Sequence, residues 1–145
     1  MPRRAILDAN VVLRYLLNDD AKQSPEATEL IEHAPDGSLF LSAMVLAEVT
    51  WTLKSHFAVP RQDIGAAIQR VLAQSAIAAD ATTFDAVARY ANLNIDFIDC
   101  ALAAAGAATG LPVATFDKDF RKFGDVTAKR PRELLADLAT SEEES

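Results

Sequence analysis

The chain has 145 residues, half of them hydrophobic, with a net charge of −7 and a pI of about 4.7. That length favours one domain able to bury a real core, and its scattered glycines and prolines argue against disorder. The acidic balance excludes broad, nonspecific affinity for nucleic acid, which needs basic surface, but not an acidic site neutralised by a metal.

No apolar run approaches the roughly 18–20 residues needed to span a membrane. The basic start, Met1-Pro2-Arg3-Arg4, leads into an apolar run that Asp8 interrupts, too short for a signal peptide. A soluble cytoplasmic protein without membrane attachment is expected. Cys100 is the only cysteine, so no intrachain disulfide or cysteine-rich zinc site can form. His33 and His56, in separate polar contexts, are expected at the surface or at helix ends.

Residues 4–8 predict a short buried strand ending on Asp8. Ala9 and Asn10 open a helix over residues 11–17, broken by Asn18, Asp19 and Asp20. A strand that ends in an acid and feeds a helix is a common ligand position at the carboxyl edge of a parallel sheet. Asp8 can equally be a helix N-cap, and Asn10 either orients a carboxylate or water, or serves a turn. Ser24 and Pro25 predict the N-cap and first residue of a helix running to about Ala34. Pro35, Asp36 and Gly37 form a turn, and residues 39–41 a second short strand. Ser42 caps the next helix, which holds Met44, Val45, Leu46, Val49, Trp51 and Leu53. Glu48 lies among these apolar residues and is hard to place on a fully solvated face; burial unpaired would be costly. Its alternative is a face-edge position paired with Lys or Arg.

Residues 61–74 carry helical periodicity through Ile64, Ala67, Ile68, Val71 and Leu72. Residues 76–78 predict a short strand or extended link. Residues 81–91 predict a helix with Phe84, Val87, Ala88 and Ala91 on one side. The stretch NIDFIDCALAAAGAATGLPVATFDKDF, beginning at Asn94, then organises the chain. Asp96 and Asp99 share one face at the start of a helix that ends near Gly110; residues 113–115 form a strand, and Asp117 and Asp119 follow it. A helix start and the end of the next strand lie at the same edge of an α/β unit, so the two pairs can converge. Each acid can also simply favour its helix dipole. Residues 120–124 predict a tight helical turn, residues 125–127 an edge strand and residues 131–138 a last helix. The organisation expected is one domain over residues 1–138 and an acidic, frayed tail over residues 139–145. Alternating short strands and helices predict a three-layer α/β/α fold with a short central parallel sheet.

Asp8, Glu48, Asp96/Asp99 and Asp117/Asp119 therefore all stand at plausible sheet-edge positions. Several carboxylates cannot remain ionised side by side without a cation. Oxygen-only ligands favour Mg²⁺ or Mn²⁺ over Zn²⁺, and such a site suits phosphodiester hydrolysis. No glycine-rich phosphate loop and no G-x-S-x-G element is present.

ILDANVVLRYLL at the start, AEVTWTL around Glu48 and DFIDCALAAAGAATGLPVATFDKDF near the end, in this order and spacing, resemble the PIN domain, and within it the VapC-type toxin of bacterial toxin–antitoxin pairs. The resemblance implies a ribonuclease dependent on Mg²⁺ or Mn²⁺. It maps the family's acids onto Asp8, Glu48, Asp99 and Asp117 as catalytic and metal-binding residues. Asn10 and Thr115 are similar to supporting polar positions, Asp96 and Asp119 to auxiliary acids. It implies an RNA substrate, a homodimer and a cognate antitoxin. Arg14, Lys54, Lys118, Arg121, Lys122, Lys129 and Arg130 are candidates for holding RNA, or simply solvated surface. Cys100 is expected to be a packing residue, not a nucleophile. The competing functions are a PIN-type RNA-processing nuclease without an antitoxin and a non-catalytic module that binds metal or RNA.

Overall fold

Strands of two residues need helices to cover them, and this chain spends most of its length on helix. The computed structural model describes residues 2–144, and among these seven α-helices and five strands form a three-layer α/β/α arrangement. β1 (Ala5–Ile6), β2 (Leu39–Phe40) and β3 (Ile77–Ala78) make one parallel sheet in that order, with Ala5 opposite Leu39 and Leu39 opposite Ile77. β4 (Val113–Ala114) and β5 (Ala128–Lys129) form a separate parallel pair. The single sheet that was expected is thus split into two. β1 has one hydrogen-bonded neighbour and is exposed where a buried strand was expected; Leu7, just after it, is the residue that enters the core.

Local chemistry accounts for most helix ends. α1 (Ala9–Leu17) stops at Asn18, which takes the left-handed conformation that Asn tolerates. α2 (Gln23–His33) is not capped by Ser24, contrary to expectation. The Asp20 carboxylate accepts from the Lys22 and Gln23 N–H groups at 2.9 and 2.7 Å, and buried Ser24 accepts from the Asp20 N–H at 3.2 Å. An ionised acceptor makes the stronger cap, and the same bonds hold the Asp20 carboxyl below the usual range. Ser42 caps α3 (Ala43–Ser55) as expected, accepting from the Val45 N–H at 3.2 Å.

α4 (Arg61–Leu72), α5 (Ala81–Asn92) and α6 (Phe97–Thr109) follow, with Gly110 closing α6 at φ 72°. The buried face of α5 is Thr83, Ala86, Val87 and Tyr90, whereas Phe84, Ala88 and Ala91 of the expected face are exposed. The Tyr90 ring decides this: it meets Phe97 edge-on at 6.0 Å, joining α5 to α6. α6 comes close to the β4–β5 pair at Gly106, where an added Cβ would lie 3.2 Å from Val126 and 3.3 Å from Val113.

A 3-10 helix (Lys118–Lys122) takes the place of the expected turn at 120–124. β5 lies beyond the expected edge strand at 125–127 because Asp125 is drawn to Arg89, whose guanidinium also binds Asp85 at 3.1 Å. α7 (Pro131–Glu144) continues past Leu138, through part of the stretch expected to fray; Ala and Glu are good helix formers, and Thr140 donates to the Ala136 carbonyl. Ser145, the last residue of that expected tail, lies outside the described residues.

Arg61 ties these parts together. Its Nη2 lies 2.8 Å from the Tyr90 carbonyl, 2.5 Å from that of Leu93 and 2.6 Å from that of Ile95, and its guanidinium sits 3.9 Å above the Tyr90 ring. It fixes the link between α5 and α6, and hence the point at which α6 begins. Arg61→Ala is expected to cost about 2–3 kcal/mol, the scale of a charged donor lost from partly buried carbonyls. Urea denaturation measures it, and a loss below about 0.5 kcal/mol would contradict this role.

Candidate active site

Three chain segments deliver the aspartates. Asp8 follows β1 at the carboxyl end of the parallel sheet and takes extended, N-cap backbone geometry; its carbonyl accepts from the Val11 and Val12 N–H groups. Asp96 holds the same position before α6, and its carbonyl accepts from the Cys100 N–H. At neither residue does the side chain cap the helix. An aspartate at an N-cap ordinarily contributes about 1 kcal/mol through that bond, so the capping role open for Asp8 and Asp96 is not what their carboxylates do. Asp80, before α5, also caps nothing, but its carboxylate pairs with Arg3 at 3.0 Å. Among the described residues neither Asp8 nor Asp96 enters such an ion pair.

Asp99 lies in the first turn of α6 and is half-buried. Burial raises its pKa, and the charges of Asp117, Asp96 and Asp119 raise it further. The α6 start and the loop after β4 therefore share one electrostatic environment, as the two-pair spacing predicts. That loop is itself ordered by side chains. The Asp117 N–H donates to Thr115 Oγ1 at 2.9 Å, and the Asp119 N–H donates to Asp117 Oδ1 at 2.8 Å. Asp119 also faces Lys122 at 3.5 Å on the surface.

Glu48 departs from expectation. It is exposed, because α3 turns an outer face to solvent on which Met44 and Trp51 are exposed as well. Neither Glu48 nor Asp8 is among the charges that shift Asp99. The Asn10 amide donates to Gln23 Oε1 at 3.3 Å, joining α1 to the start of α2. Cys100 is fully buried, and burial pushes its thiol up to about 11, in keeping with a packing residue. His33 ends α2 and His56 follows α3, both exposed. Of the candidate RNA-holding cations, Arg14, Lys122 and Lys129 already pair with Asp19, Asp119 and Asp137.

Among the described residues no three His, Cys, Asp or Glu side chains close around a point that would hold a metal. The donors present nevertheless fit one kind of ion. Mg²⁺ keeps several waters and is commonly held by one or two carboxylates, not by a complete protein cage. Asp99, crowded by three other acids, offers such an oxygen-only, electronegative setting.

The family model of the PIN domain matches residues 5–126. The chain belongs to the PIN domain family. PIN domains are in general metal-dependent nucleases and typically use divalent metal ions. The matched region takes in every candidate acid and ends before β5 and α7. No curated protein matches the chain significantly. No helix among the described residues is long and apolar enough to cross a membrane.

Sequence reasoning missed Arg61, although a signal was available. A cation in the first turn of a helix opposes the helix dipole, so it calls for another partner, here the three carbonyls.

The raised pKa of Asp99 sets a sign for stability. An acid whose folded pKa lies above its unfolded value leaves the fold most stable while protonated, and that stability is lost as pH rises through the folded pKa. Asp99→Asn should therefore raise Tm at pH 7 in EDTA, with the gain shrinking as pH falls toward about 4. Thermal melts across pH check this; a lowered Tm at pH 7 would contradict it.

Proposed function

We propose that this PIN domain is an endoribonuclease toxin dependent on Mg²⁺ or Mn²⁺, working in the cytoplasm as a homodimer and held inactive by a cognate antitoxin. The observation that carries the reading is the set of uncommitted acids. Asp8 and Asp96 stand at helix starts with carboxylates that cap nothing, and Asp99 shares its surroundings with Asp117. The toxin subtype is supported by the three resembling segments around Asp8, Glu48 and the Asp96–Asp119 stretch.

In this mechanism Asp8 and Asp99 hold the cation, while Asp117 and Glu48 complete the site or orient the attacking water. When bound, the ion polarises the phosphate and lowers the pKa of water. The chain's own residues position that chemistry. Thr115 and the Asp119 N–H fix Asp117 from both sides. The Arg61 clamp fixes the helix start that carries Asp96 and Asp99. Asn10 supports the α1–α2 junction beside Asp8.

Purified protein is expected to cut RNA with Mn²⁺ and to be silent in EDTA. Asp8→Asn and Asp99→Asn should each reduce cleavage by about 100-fold or more, the upper end of what groups merely supporting a metal ligand cost. Full activity in either variant would overturn the assignment. For the toxin role, a small DNA-binding protein encoded beside this chain should copurify with it and block cleavage. If no such neighbour exists, the processing nuclease without an antitoxin takes its place.

A further inference from the structure

A groove of about 420 Å³ opens directly off the acidic helix start. One wall is the face of α3 that carries Trp51, Lys54 and Ser55; the other includes Asp96, Ile98 and Asp99 at the start of α6. Its volume falls in the range of ligand-sized clefts. Trp51 is the chain's only tryptophan and is 60% exposed, and Ile98 across the groove is 62% exposed. His56 makes a T-shaped contact with the indole at 5.5 Å, which steadies the ring. The Arg61 guanidinium at the groove is taken up by three carbonyls, so the available cation is Lys54, which enters no ion pair among the described residues.

We infer that this groove is a subsite for one unpaired nucleotide of a single-stranded RNA, its base stacked on Trp51 and a flanking phosphate on Lys54. The inference rests on the nuclease reading, since the groove shares Asp96 and Asp99 with the proposed cation site. It also resolves a difficulty of charge. A chain of net charge −7, with several of its cations already paired, cannot hold RNA mainly through phosphates. Stacking on an aromatic face is independent of phosphate neutralisation and tolerant of sequence. An exposed indole beside an acidic site answers that need, and the Ile98 side chain supplies apolar surface on the facing wall.

Because Trp51 is the sole tryptophan, fluorescence excited to the red of tyrosine absorption reports on the subsite alone. The probe is a short fluorescein-labelled single-stranded RNA, added to full-length Asp8→Asn protein with Mg²⁺; an unlabelled copy serves for the fluorescence titration. Saturable quenching of Trp51 is expected. In the same background, Trp51→Ala should weaken binding by about 5- to 150-fold in fluorescence anisotropy, with Trp51→Phe intermediate, because one stacked base is worth about 1–3 kcal/mol. Lys54→Gln should flatten the salt dependence by roughly 0.7 in log–log slope. Absence of quenching, or an affinity for Trp51→Ala within about twofold of its parent, overturns the subsite. So does quenching that follows protein concentration without RNA, which would assign the face to a second copy of the chain. Failure of the subsite leaves wild-type cleavage of RNA intact, whereas failure of the nuclease reading removes cleavage and leaves the quenching.

Discussion

The Arg61 guanidinium sets the geometry on which the site depends. It binds carbonyls of Tyr90, Leu93 and Ile95, one at the end of α5 and two in the link to α6, while its flat face covers the Tyr90 ring. These contacts fix the chain just before Asp96. A lysine would lose the flat face that covers the Tyr90 ring. Tyr90 in turn meets Phe97, and the Cys100 thiol donates to the Ile95 carbonyl at 3.6 Å. The start of α6 is thus held from α4, from α5 and from within its own first turn. Precision there matters because two acids project from it.

Those acids oppose the packing that positions them. Asp99 gains from lying at a helix N-terminus, yet burial and three neighbouring carboxylates outweigh that gain and raise its pKa. Asp8 and Asp96 forgo capping bonds that their positions offer. Asp80 shows how the fold treats an acid with only a structural task, pairing it with Arg3. Two further ion-paired sites lie away from the acidic edge: Arg89 bridges Asp85 and Asp125, and Lys129 meets Asp137. The strain that burial and neighbouring carboxylates place on Asp99 suits the proposed cation site.

Much of this was legible in the sequence, for reasons that differ from place to place. The run from Asp96 to Asp119 was readable because its period, its closing Gly110 and its apolar strand are local signals, and Asp99 feels the charges of both Asp117 and Asp119. Ser42 was readable as a cap for the same reason. Ser24 was misread because a stronger acceptor, Asp20, stood four residues earlier. The buried face of α5 was misread because Tyr90 and Thr83 looked polar, while the indispensable contact, Tyr90 against Phe97 and Arg61, is tertiary. Asp125 was read as strand because its partner Arg89 lies far away in sequence. Glu48 looked misplaced among apolar neighbours only because the exposure of Met44 and Trp51 on the same helix was not foreseeable from pattern alone.

In the function we propose, acids from the β1 end, the α6 start and the loop after β4 serve one cation. A crystal soaked in Mn²⁺ and measured at the manganese absorption edge tests it most directly. An anomalous peak is expected within direct coordination distance of the Asp99 and Asp8 carboxylates, with Asp117 in the same shell or one water away. A peak confined to other surface carboxylates, or a well-ordered acidic edge with no peak at saturating Mn²⁺, would contradict it.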